Sequence, residues 1–211
     1  MRTPKNPFTL AGWRREVYQL YASVRRAPDD GRAQACERFR ASRETLFREH
    51  DDSPIRASRR DQFPGLNYYP YDPIWRTLGS IDRNVQQDTF EVDLAADGLM
   101  RYTRVARVHF SIRGQVASLS LFWIEGYGGG IFLPFRDGTN GKSTFGGGRY
   151  LYDTIKGADL GVGTSEIVLD FNFAYNPSCS YDDRWVCPLP PSENRLSIDI
   201  EAGEQMPGDI F

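Results

Sequence analysis

The sequence predicts an α+β protein that is mainly β: an antiparallel barrel or sandwich of about eight strands, preceded by two amphipathic helices. Three observations carry this. Aromatic residues make up 13% of the 211 residues, a share that favours a sheet-rich core. Met100, Tyr102, Ala106, Val108, Phe110 and Ile112 alternate with Arg101, Thr103, Arg107, His109, Ser111 and Arg113, and Gly114-Gln115 then leads into VASLSLFWI, the pattern of a long antiparallel hairpin. Ahead of residue 50 the spacing is instead helical.

In that first stretch Trp13, Val17, Leu20, Tyr21 and Val24 share one face of a helix running from about Leu10 to Arg26. After Pro28-Asp29-Asp30-Gly31, residues Cys36, Phe39, Arg43, Leu46 and Phe47 repeat the spacing in a second helix. Their charged faces (Arg14, Arg15, Glu16; Arg38, Arg40, Glu44, Arg48) read as solvated. This gives an N-terminal helical pair over 1–50 and a β-rich domain over 51–211. From Asp51 to Pro73 the chain is too irregular for a helix and too aromatic for a flexible linker, so it reads as an ordered segment crossing the sheet. Further strands are expected near 75–81, 88–94, 131–135, 149–152, 167–174 and 196–200.

Composition excludes several function classes. A formal net charge of −2 lacks the basic excess of a protein devoted to nucleic acid. No run approaches 18 apolar residues and the N-terminus has no apolar signal core, so a soluble cytoplasmic protein without a membrane partner is expected. Cys36, Cys179 and Cys187 are too few and too odd for a disulfide framework. With only His50 and His109 beside them, and no CxxC pair, a zinc site is not expected; no cofactor is implied.

The segment IFLPFRDGTNGKSTFGGGRYLYD holds the candidate chemistry. Its NGKS resembles the end of a phosphate loop, but Arg136 stands where that loop needs glycine and no helix follows, so a type I′ hairpin turn at Asn140-Gly141 is the simpler reading. Twelve of the twenty glycines lie between Gly126 and Gly163, which suits either strand curvature or close approach to a ligand. In LDFNFAYN, an unbroken strand would turn Asp170, Asn172 and Asn176 to one side and Leu169, Phe171 and Phe173 to the other. A row of that kind either orients a ligand or ties down the next loop.

These motifs, together with RETLFREHDDSPI, FPGLNYYPYDPIWR, CPLPPSENRL and IEAGE, resemble the family catalogued as domain of unknown function 1684, over roughly Arg43 to Glu204. The first helix resembles an N-terminal extension of some actinobacterial members, and GADLGVGTS before the DFN strand departs from the family pattern. The resemblance implies signature positions that include Arg136, Asp137, Thr144, Arg149, Tyr150, Asp170, Asn172, Asn176, Cys179, Cys187 and Asn194, and implies no activity.

The leading expectation is a small-molecule-binding barrel whose polar pocket is lined by Arg136, Lys142, Arg149, Asp170, Asn172 and Asn176, taking an anionic or polar ligand. The signature adds Asp137 and Thr144 to that set. A second expectation is an enzyme with Asp170 as general acid or base, helped by Cys179 or Tyr150. A third is a structural or interaction protein that forms a homo-oligomer through its N-terminal helices.

Overall fold

The computed structural model describes residues 6–95 and 98–208. Helix α1 spans Pro7–Arg25 and helix α2 spans Arg32–Glu49. Asn6 caps α1, its side-chain oxygen accepting from the amides of Phe8 and Thr9 at 3.0 and 3.4 Å, while Pro7 supplies a φ suited to the first turn. Val17, Tyr21 and Val24 of α1 and Cys36, Phe39 and Leu46 of α2 join one hydrophobic cluster with Val108, Leu121, Leu133, Leu151 and Leu169 of the sheet. The apolar faces of both helices are therefore used on this chain's own strands. The charged face of α2 is not purely solvated: Arg40 donates to the Tyr69 carbonyl at 2.9 Å and Arg48 to that of Phe63 at 2.8 Å, pinning the crossing segment.

Seven strands are present among the described residues: β1 (Arg76–Asp82), β2 (Thr89–Asp93), β3 (Leu99–Ile112), β4 (Gln115–Ile124), β5 (Gly130–Phe135), β6 (Arg149–Asp153) and β7 (Glu166–Asp170). They form one antiparallel sheet in the order β6-β5-β4-β3-β1-β7, with β2 paired to β3 outside that path. The sheet curls into a half-barrel. Its two ends are joined by a side chain rather than a ladder, because the Tyr152 hydroxyl on β6 donates to the Val168 carbonyl on β7 at 2.6 Å.

The seven strands among the described residues agree with the expected barrel or sandwich of about eight. Three expectations about local structure are corrected. The strand expected over 167–174 stops at Asp170, which caps a 3-10 turn at Phe171–Phe173 by accepting from the Asn172 amide at 3.2 Å. Asp170, Asn172 and Asn176 consequently do not line one face of a strand. The type I′ turn is not at Asn140-Gly141, since only Gly141 has a positive φ there, at 77°. Instead the Thr139 carbonyl accepts from the amides of Lys142, Ser143 and Thr144 at 3.1, 3.1 and 3.2 Å, winding the segment into a compact loop. A two-residue turn with both φ positive closes the β3–β4 hairpin, at Arg113 (50°) and Gly114 (74°).

The third correction concerns 196–200, which is extended but is not a ladder strand. Leu196, Ile198, Ile200 and Ala202 point inward while Arg195, Ser197, Asp199 and Glu201 point outward. Its start runs parallel to the end of β5: the Arg136 amide donates to Asn194 O and the Leu196 amide to Arg136 O, both at 2.8 Å. Asn194 itself enters the sheet where β4 and β5 part, pairing with both backbone groups of Ser120 at 2.7 and 2.9 Å and with Pro134 O at 2.7 Å. Beyond residue 198 the segment also takes a side-chain partner, described next.

Candidate functional site

Arg149, the first residue of β6, is fully buried. Its guanidinium donates to the Asp137 carboxylate at 2.8 Å, to Ile200 O at 2.8 Å, to Glu204 O at 3.2 Å and to Ala202 O. Those carbonyls belong to alternate residues of the C-terminal segment, so one planar fork satisfies a row of acceptors, while Gly203 and Glu204 also bond the backbone of Tyr69 and Ala174. Asp137 is completed by the Thr139 amide at 2.7 Å and by the Thr139 hydroxyl, which in turn meets the Thr144 hydroxyl at 2.7 Å. Arg149, Asp137 and Thr144 thus form a closed internal network with no face toward solvent.

Gly148 has φ +94°, and a Cβ built on it would stand 2.7 Å from the Phe135 carbonyl oxygen. The glycine there serves approach to a neighbouring strand. Arg136 lies next to this network and is half-buried, whereas Lys142 projects from the loop into solvent. The structure therefore does not bring Lys142 to Arg149.

A second network surrounds Asn172. Its side chain grips both backbone groups of Asp72, accepting from the amide at 3.0 Å and donating to the carbonyl at 2.9 Å, and it also donates to Asp170 at 2.9 Å. Burial pushes the Asp170 carboxyl above its ordinary range, against the opposing hydrogen bonds from Asn172 and the nearby charge of Arg76.

The third network was missed by sequence reasoning. Glu204, 1% exposed, accepts from Arg43 Nε at 2.6 Å, from the Tyr181 hydroxyl at 2.7 Å, from the Tyr68 hydroxyl at 3.3 Å and from the Asn176 amide at 2.7 Å. The Asn176 side chain adds a bond to Gln205 O at 2.8 Å. The available signal was Arg43 on the apolar stripe of α2, since a cation buried there requires a carboxylate partner.

Tyr150 and Cys179 lie together but away from Asp170. The Tyr150 hydroxyl, kept protonated by burial, donates to Pro188 O at 2.5 Å. All three cysteines are free thiols, and the Cys179 amide donates to the sulfur of Cys187 at 3.3 Å.

Open space is found elsewhere on the surface. A cleft of about 490 Å³ is lined by Tyr69, Pro70, Asp72, Ile74, Trp75, Arg113 and Glu201. A neighbouring one of about 400 Å³ is lined by Arg113, Gln115, Ser197, Ile198 and Asp199. Arg113 is common to both, and the pair, called the trough below, lies at the tip of the β3–β4 hairpin and along the outward face of the C-terminal segment. Asp72, the residue that Asn172 grips, forms part of its wall.

The comparisons agree with this architecture. No curated protein matches the chain. The solution NMR structure of an uncharacterised protein from Haloarcula marismortui is similar, with a TM-score of 0.58 and 33% identity over 80% of this chain and 91% of that one. The family model described as "Protein of unknown function (DUF1684)" matches residues 61–205. That match takes in the later part of the crossing segment, all seven strands of the described residues and the three buried networks apart from Arg43, and the chain belongs to this family.

Proposed function

We propose that this protein binds a small polar molecule in the trough over Arg113, with the buried networks acting as the frame that holds the trough in shape. The single observation that carries this reading is the placement of Arg113. It occupies the first central position of a two-residue turn at φ 50°, where glycine, asparagine or aspartate is preferred and arginine is strained. Turn geometry gives no reason for arginine. Its guanidinium lies 5.2 Å from the centre of the buried Trp75 ring, which fixes the charge at the floor of both clefts.

Around that cation stand Asp72, Asp199 and Glu201, all exposed. A ligand matched to this set carries a carboxylate or phosphate toward Arg113 and amine or hydroxyl groups toward the acidic rim. Each cleft, at about 490 and about 400 Å³, falls within the usual range of small-molecule sites.

The test is a thermal-shift and calorimetric screen of amino acids, sugar acids and sugar phosphates against the wild type and Arg113→Asn. Asparagine suits the turn better, so the variant should fold with equal or slightly higher stability while losing at least about tenfold in affinity for any hit. Undiminished affinity in Arg113→Asn would overturn the reading.

A further inference from the structure

Cys179 and Cys187 lie on the two stems of a loop that is tethered at three points. Tyr150 holds Pro188 through its hydroxyl at 2.5 Å, the Trp185 indole donates to Pro54 O at 2.9 Å, and Arg56 clasps Asp182 through Nε and Nη2 at 2.7 and 2.8 Å. These tethers bring the stems together so that the Cys187 sulfur accepts from the Cys179 amide at 3.3 Å. Both cysteines are half-buried, whereas Cys36 is sealed in the core.

The surroundings make the two sulfurs unequal. The groups facing Cys187 are the Cys179 thiol, the amides of Ser178 and Cys179, the Lys156 ammonium and the neutral Tyr150 phenol; Asp153 sits 3.3 Å from Lys156. Hydrogen bonding from Cys179, helped by Lys156, brings Cys187 down to about 7, and the same bond pushes Cys179 up. Burial lifts Cys36 to about 11.

We infer that Cys179 and Cys187 form a peroxide-responsive thiol pair, in which Cys187 is the attacking sulfur and Cys179 resolves it to a disulfide. In the first step the Cys187 thiolate attacks one oxygen of a hydroperoxide. The S–O bond forms as the O–O bond breaks, and the departing alkoxide takes a proton to become the alcohol. Cys187 is then a sulfenic acid. In the second step the Cys179 sulfur attacks the Cys187 sulfur, the S–S bond forms, the S–O bond breaks, and hydroxide leaves with the Cys179 proton as water. Two electrons pass from the thiol pair to the peroxide, and the product is a cross-link across the stems of the tethered loop.

The experiment uses the full chain and tert-butyl hydroperoxide. In the reduced wild type, limiting iodoacetamide at neutral pH should label Cys187 at least about tenfold faster than Cys179, with Cys36 unlabelled. One equivalent of peroxide should remove both reactive thiols together, yield a Cys179–Cys187 cross-linked peptide, and be reversed by dithiothreitol. In Cys179→Ser, dimedone should trap a sulfenic acid at Cys187. Equal alkylation of the two thiols, or oxidation of the wild type without a cross-link, overturns the assignment, and neither readout depends on any variant folding.

Discussion

Arg149 donates to Asp137 across 2.8 Å, with neither side chain exposed to solvent, and the same guanidinium holds carbonyls of Ile200, Ala202 and Glu204. Two segments separated by more than 50 residues thus depend on one cation. Removing it leaves a buried carboxylate without its counter-charge and a row of carbonyls without their side-chain donor. Arg149→Ala is expected to cost about 3–5 kcal/mol and to lower the melting temperature by roughly 10 °C or more. Arg149→Lys should recover only part of this, because an ammonium cannot span alternate carbonyls as a planar fork does. Thermal denaturation followed by circular dichroism decides it; melting within a degree or so of wild type would contradict the structural role.

Glu204 accepts from donors only: Arg43, Tyr68, Tyr181 and the Asn176 amide. Glu204→Gln would turn an amide N–H₂ toward one of these donors and remove the charge opposite Arg43. A loss of about 2–4 kcal/mol is expected in urea unfolding with an unchanged m-value. Equal midpoints for the two proteins would show that the carboxylate is dispensable.

Burial raises the Asp170 carboxyl above its ordinary value in the folded state, so ionising it there costs more than in the unfolded chain. Its favourable contribution is full below the unfolded value and is lost as pH rises through the folded one. Asp170→Asn stays neutral and keeps an oxygen for the Asn172 amide. Relative to wild type, the variant should gain stability as pH climbs from about 4 through the raised value, then hold a constant margin. Denaturant midpoints measured from pH 3.5 to 7 test this, and a margin that shrinks with rising pH would reverse the sign.

Asn172 fixes Asp72 in the trough wall through two backbone hydrogen bonds, at 3.0 and 2.9 Å. Asn172→Ala should destabilise the fold by about 2 kcal/mol and speed amide exchange at Asp72 by roughly tenfold or more, while amides of β3 and β4 slow-exchange as before. Unchanged exchange at Asp72 would separate the network from the trough.

Gly203 has φ +75°, and a Cβ there would stand 2.5 Å from Ala174 O and 2.7 Å from Phe171 O. Gly203→Ala is therefore expected to cost about 1–3 kcal/mol, or to express poorly. Wild-type melting would mean that the backbone can move aside.

Much of the fold was legible because it follows local periodicity. The apolar stripes of α1 and α2, the long β3–β4 hairpin and the positions of β1, β2, β5 and β6 follow from spacing in the chain. Errors arose where a polar side chain replaced a backbone partner. The extended run 196–200 has the alternation of a strand, yet beyond residue 198 its acceptors go to Arg149. Likewise LDFNF has a strand's alternation, but Asp170 captures the Asn172 amide and bends the chain into a 3-10 turn.

The candidate polar residues divide for a related reason. A pocket lining and a buried network call for the same residue types, because both present hydrogen-bonding groups away from bulk water. The sequence by itself determined which segments bury apolar faces, where the helices and most strands lie, and the family to which the chain belongs. Only the tertiary structure decided that Arg149, Asn172 and Asn176 face inward onto distant backbone, that Asp137 meets Arg149, that Glu204 meets Arg43, that Cys187 meets Cys179, and that Arg113 stands at the open trough. Those pairings join residues far apart in the chain, and no local pattern encodes which distant carbonyl or carboxylate will complete a buried donor.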